Sequence, residues 1–200
     1  MRELRKSLAI FLFGFTVLVG TATALSYGEG VITFGPKETK IIGSIPYTVI
    51  GKYIAQFSAF KGRITLDEKA YQIQSVYLEI EASSIESNCP WCDRVARSRR
   101  LLYTAQYPNI IFKSDQIIHD ANGYRVKGVL GMHGVKRRMA FPFQVEIIID
   151  QRTKRKELDF KGTWSINRKE FNIIWNKYLD QGGIIVGDHL KVDWGIKVYI

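Results

Sequence analysis

Between His189 and Ile200 the chain alternates. Leu190, Val192, Trp194, Ile196, Val198 and Ile200 fall on one side, and His189, Lys191, Asp193, Gly195, Lys197 and Tyr199 on the other. Successive side chains of a strand point to opposite faces, so this segment predicts a long strand with one face in an apolar interior. The same period of two marks Val76, Leu78, Ile80 and Ala82; Ile110, Phe112 and Ser114; and Tyr124, Val126, Gly128, Leu130 and Met132. It returns at Phe141, Phe143, Val145, Ile147 and Ile149, and at Phe160, Gly162, Trp164 and Ile166. Ile64 and Leu66 begin another strand after Phe57, Phe60 and Gly62, and Val31 to Phe34 offer an earlier one. Asp120-Ala121-Asn122-Gly123, Gly134 to Arg138, Asp150 to Arg155 and Gly187-Asp188 supply the turns. Short strands joined by turns predict an antiparallel barrel or sandwich, with no internal repeat or linker.

One segment departs from this period. Asp93 to Ala105 holds Val95, Leu101 and Leu102 as a partial apolar stripe, without Gly or Pro. Asp93 is a candidate N-cap, and Pro108 halts a helix because the residue before proline is driven out of the α region. A single short helix is expected here.

The N-terminus changes the picture of location. Met1 to Lys6 is basic, Leu8 to Val19 is apolar, and Ala22-Thr23-Ala24 follows. That order predicts a secretory signal peptide over residues 1–24, cleaved after Ala24, and a barrel domain over 25–200. The apolar run is shorter than the roughly 20 residues of a spanning helix. Cleavage takes the formal charge from +10 to +8. Basic clusters stand at Arg97-Ser98-Arg99-Arg100, Lys136-Arg137-Arg138 and Lys154-Arg155-Lys156. They read as solvated turns or as contacts for an anionic membrane surface, and export excludes nucleic acid as the natural partner.

Five signatures in series resemble the YceI-like family of exported bacterial proteins. They are Ser83-Ser84-Ile85; Asp93, Ser98, Tyr107-Pro108, Ile111-Phe112 and Ser114; Gly123-Tyr124 through His133-Gly134-Val135; Ile166-Asn167-Arg168 with Phe171; and Val186-Gly187-Asp188. Their order runs from about Ala55 to the C-terminus. The chain departs from the family pattern at Glu38-Thr39, Ala55, Ala96 and Asn172. The resemblance implies an all-β, eight-stranded, lipocalin-like barrel with one short helix, a tunnel for a polyisoprenoid or similar fatty amphiphile, and no established catalytic activity. It favours the periplasm.

Candidate chemistry outside the barrel is sparse. Cys89-Pro90-Trp91-Cys92 contains the only cysteines and reads as a local disulfide or a dithiol redox site. Its position before the helix suits a lowered thiol pKa, but the βαβ setting of such centres is missing. His119, His133 and His189 lack metal-ligand spacing, so no metal or cofactor is expected. His133 reads as a turn residue rather than a general base. Arg168 reads as a clasp on Asp188 or Asp93 at a barrel end, with head-group binding as the other option.

The expected function is therefore an exported, non-enzymatic binding protein for an apolar chain, in stress response or lipid transport. The expected cavity wall is Phe57, Phe60, Phe112, Leu130, Phe141, Phe143, Trp164 and Trp194. The alternative is a thiol-disulfide accessory protein acting through Cys89 and Cys92. The sequence leaves monomer and homodimer both open.

Overall fold

The computed structural model describes residues 29–37, 39–47, 51–67, 72–121, 123–149, 151–152, 156–175 and 186–199. The expected leader with its cleavage site at Ala24 lies outside these residues, as do Glu38, Lys154, Arg155 and Ile200. The strands are β1 (Glu29–Phe34), β2 (Thr39–Tyr47), β3 (Gly51–Phe57), β4 (Phe60–Asp67), β5 (Gln72–Glu81) and β6 (Ile85–Glu86). After helix α1 (Pro90–Arg97) come β7 (Asn109–Asp120), β8 (Gly123–Met132), β9 (Val135–Ile149), β10 (Lys156–Asn167) and β11 (His189–Tyr199). They form one antiparallel sheet in the order β1-β4-β5-β7-β8-β9-β10-β11-β2-β3-β6, curled into a half-barrel.

Eleven strands replace the expected eight. The excess arises at bends: β1 leads into β2, β3 into β4 and β5 into β6 across gaps of a few residues. Ser58 N–H donates to the Ser84 carbonyl at 3.1 Å and Glu81 N–H to the Ala59 carbonyl at 3.0 Å. These bonds satisfy backbone groups where the ladder breaks, so the bent strands stay side by side. Alternation did not mark β2 and β3, whose inward row includes the small Gly43 and Ala55.

The inward faces of β4, β7, β8, β9, β10 and β11 meet in one core, in which Phe112, Phe160 and Phe171 are fully buried. Small inward residues accommodate large neighbours. A Cβ on Gly62 would sit 2.0 Å from the Phe34 ring, and one on Gly162 would sit 2.7 Å from the Trp194 indole nitrogen. β8 and β9 are joined by His133 and Gly134, both at positive φ (51° and 74°), the geometry of a tight hairpin turn.

Two expectations on β9 and α1 are corrected. Ile147 and Ile149, read as inward, are 55% and 51% exposed. β8 pairs with β9 only as far as Phe143, so the last residues of β9 run out with β10 alone beyond the core. The helix begins three residues before Asp93, with Pro90 in its first turn and Cys89 as N-cap, its Sγ accepting from Cys92 N–H at 3.2 Å. It ends at Arg97, where Ser98 turns extended, long before Pro108.

Candidate ligand cavity

The strand registers define two ends. The β2–β3 turn, α1, the His133-Gly134 turn and the segment after β10 share one end; the β4–β5, β7–β8 and β9–β10 turns share the other. A cavity of about 200 Å³ runs between the curled walls. A single water needs on the order of 15 Å³ by this measure, so the space is no packing defect. On β2 it is lined at every second residue by Thr39, Ile41, Gly43 and Ile45, and on β11 by Leu190, Val192, Trp194 and Ile196. At about 3.3 Å per residue, the row on β2 alone is about 20 Å long.

Of the eight expected wall residues, Phe57, Phe112, Leu130, Phe143, Trp164 and Trp194 line the cavity. Phe60 and Phe141 are buried in the core without lining it, and Phe141 stacks on Trp164 with ring centres 4.1 Å apart. Polar groups on the lining are few. The Tyr53 hydroxyl donates to Asp93 and the Arg168 guanidinium to backbone carbonyls. Thr39 Oγ1 and Trp194 Nε1 are buried with no partner among the described residues. Arg168 is the one charged side chain among the described lining residues and its donors are taken by carbonyls, whereas burial of hydrocarbon is favourable at roughly 25 cal/mol per Å².

The helix end is held by buried polar groups. Asp93 is 6% exposed and accepts from Tyr53 Oη at 2.7 Å, Ser87 Oγ at 2.6 Å and Ser87 N–H at 3.0 Å. Burial pushes its carboxyl upward, but these donors, with Arg97 nearby, outweigh burial and hold its pKa below the ordinary 3.8. The same contact, with burial as the larger cause, drives the Tyr53 hydroxyl upward. Asp93 therefore pins α1 to β3 and does not cap the helix. Arg97 anchors the other side, donating to the carbonyls of Ser83 and Ile85.

Arg168 is 3% exposed. Its guanidinium donates to the carbonyls of Gly187 (2.7 Å), Trp175 (3.0 Å), Val186 (3.0 Å) and Ile173, and lies 3.6 Å from the Asp188 carboxylate. Burial lowers its pKa and Asp188 opposes that. Of the two expected partners, Asp188 is found and Asp93 is not. The guanidinium stitches the strand-to-strand segment together and has its donors occupied. His133 Nδ1 lies 3.0 Å from the Phe171 carbonyl, its ring against Tyr107 at 4.6 Å, and its Nε2 is buried without a partner among the described residues.

Cys89 and Cys92 form a disulfide, and neither is free. Cys92 and Trp91 line a small vestibule with Val95 and Trp175, outside the main cavity. No group of three or more His, Cys, Asp or Glu among the described residues is arranged to hold a metal ion. No described helix is long and apolar enough to cross a membrane, which says nothing of the strands. Sequence reasoning missed Tyr53, Ser87 and Ile41, and named Thr39 only as a departure from the family pattern; for Ser87 the available signal was the serine and asparagine turn chemistry at Ser87-Asn88 before the helix.

The model of the YceI-like domain matches residues 33–198. Curated relatives include Protein YceI of Escherichia coli O17:K52:H18, 29% identical over 117 residues, or 58% of this chain and 61% of the relative. A protein of Yersinia enterocolitica is 27% identical over the same shares. The chain thus spans about three fifths of the length of these relatives. Among solved structures, BcnA of Burkholderia cenocepacia superposes with a TM-score of 0.66 at 19% identity, covering 81% of this chain and 97% of that one. A polyisoprenoid binding domain from Saccharophagus degradans, implicated in plant cell wall breakdown, gives a TM-score of 0.61 at 11% identity, covering 84% and 97%. These last likenesses concern the fold.

Proposed function

The chain belongs to the YceI-like family, and from that premise we propose that it holds a long apolar ligand, a polyisoprenoid or similar fatty amphiphile, between its curled walls. The single observation that carries this reading is the apolar cavity along β2 and β11, a row about 20 Å long on one strand. The polyisoprenoid binding domain that shares the fold supports the ligand class. The role is binding and sequestration rather than catalysis. Its setting is an exported, periplasmic one, in lipid transport or stress response, with residues 1–24 as the leader. The disulfide at Cys89 and Cys92 serves as a local brace beside the mouth.

Native mass spectrometry of the purified protein, followed by organic extraction, tests the reading. The expected result is a co-purifying lipid with an unbranched or isoprenoid chain. The variant Gly43→Leu sharpens it: a Cβ at Gly43 has ordinary contacts, 3.4 Å to Leu190 Cδ1, so the larger side chain fills the cavity without breaking a wall. Lipid occupancy should fall several-fold in that variant. A bare protein that also takes up no lipid from a membrane extract overturns the proposal.

A further inference from the structure

The helix end of the half-barrel is unusual in composition. The vestibule beside α1 shares Ile45, Tyr53, Ala96, Leu101 and Val186 with the main cavity, so the two adjoin across those side chains. On the outer side of the vestibule stand Trp91, 52% exposed, and Trp175, whose neighbour Ile174 is 70% exposed. An exposed indole on the vestibule and an exposed isoleucine next in the chain to its lining form the beginning of an apolar patch of the kind that marks an interaction surface.

The charge on the helix and the segment after it is one-sided. From Arg94 to Pro108 there are four arginines and no acidic residue. Arg94, Arg99 and Arg100 are exposed. Arg100 lies over the Trp175 ring at 5.7 Å and Arg99 over Tyr103 at 5.3 Å, so the cations sit on the aromatic rim itself. Of the carboxylates near α1, the exposed Glu86 of β6 accepts from Gln56 Nε2 at 3.0 Å. Asp93 is buried among Tyr53 and Ser87, and Asp188 is paired with Lys169 at 2.7 Å and with Arg168. A second basic cluster, Lys136-Arg137-Arg138, follows the His133-Gly134 turn at the same end.

We propose that this rim, with Trp91, Ile174 and Trp175 at its centre and Arg94, Arg99 and Arg100 around it, docks on an anionic lipid bilayer and presents the cavity mouth to the membrane. Indoles sit well at the boundary between head groups and acyl chains, and arginines pair with the phosphates of anionic lipids. The surface takes the lipid-holding reading as its premise: an apolar ligand would pass between bilayer and cavity without crossing water. The opposite end carries a competing surface, because Ile147, Ile148 and Ile149 are exposed there next to Arg152. None of those three isoleucines lines the vestibule, and no aromatic ring lies among them.

The test is co-sedimentation of the full chain with vesicles of phosphatidylcholine alone or mixed with phosphatidylglycerol. The expected result is partition onto the mixed vesicles, and weakening when salt shortens the screening length from about 10 Å to about 3 Å. Arg94→Glu with Arg99→Glu should lower that partition about tenfold or more while leaving the melting temperature unchanged. Arg152→Glu at the far end should leave it as in the wild type. Trp91→Ala should also weaken it, which keeps the aromatic part testable if the double reversal disturbs folding. Equal partition onto both vesicle types overturns the proposal, as does loss with Arg152→Glu but not with the double reversal. No partition at all also overturns it and leaves an acidic protein as the occupant of the rim. Cavity occupancy, scored separately by native mass spectrometry, keeps the two readings apart. Partition without retained lipid sinks the proposed function alone; retained lipid without partition sinks the docking surface alone.

Discussion

The walls of the cavity and the cap over its helix end are both buried, and different forces hold them. In the walls, Phe112 at 1% exposure and Phe160 at 2% sit among Ile, Leu and Phe, and the stabilisation is removal of hydrocarbon from water. In the cap, the buried groups are a carboxylate and a guanidinium. Asp93 takes three donors from Tyr53 and Ser87, and Arg168 spends its donors on the carbonyls of Ile173, Trp175, Val186 and Gly187. A wall of this kind tolerates a cavity because apolar contacts have no required direction. The cap tolerates no missing partner, since a buried charge without hydrogen bonds is costly. The protein thus places its empty space where packing is non-directional and its directional bonds where segments without a ladder must be fixed.

The contrast can be broken from either side. Phe112→Ala strikes the wall and should lower stability by about 4 kcal/mol, read by denaturant melts. A loss under 1 kcal/mol would mean that the neighbouring rings close the gap. Arg168→Met keeps volume but strips the clasp, leaving several carbonyls unpaired, and should cost about 3 kcal/mol. Hydrogen exchange should localise that loss to the residues around Ile173 and Val186; a uniform loss would dissolve the distinction between cap and wall.

Asp93→Asn is the mildest of the three, about 2 kcal/mol, because the amide still accepts one of the donors. It carries a pH signature. The folded pKa of Asp93 lies below its ordinary 3.8, so its contribution is fully present above that value and is lost as pH falls through the folded pKa. The wild type should lose its margin over the variant in acid below about pH 4, with the two melts converging. A margin that does not narrow at all between about pH 4 and about pH 2 would show that the carboxylate's charge is not what holds α1 to β3.

Legibility divided along the same line. Alternation disclosed β5, β7, β8, β9, β10 and β11, because a wall with one apolar face must write itself at a period of two. It also placed six of the eight wall residues on the cavity, while Phe60 and Phe141 went into the core, since facing inward does not decide which side chain borders the open space. It missed β2 and β3, where Gly43 and Ala55 weaken the signal and yet leave the room for a ligand. Ile147 and Ile149 misled for the opposite reason: they keep the period past the last β8 pairing, where β10 alone lies beside them. For the helix, the Asp93 cap failed because its carboxylate is used by Tyr53, forty residues away in the chain.

By itself the sequence determined an all-β antiparallel, lipocalin-like fold with one short helix, the family, and the apolar side of most strands. These follow from local rules: the pleat fixes which residues share a face, and proline, glycine and the cap position fix where elements begin and stop. The tertiary structure alone decided the eleven-strand count, the cavity between the walls, the Asp93 network, and the carbonyls that Arg168 takes beside the expected Asp188. Each of these depends on which distant backbone and side chains a bend brings together, and no period along the chain records that distance.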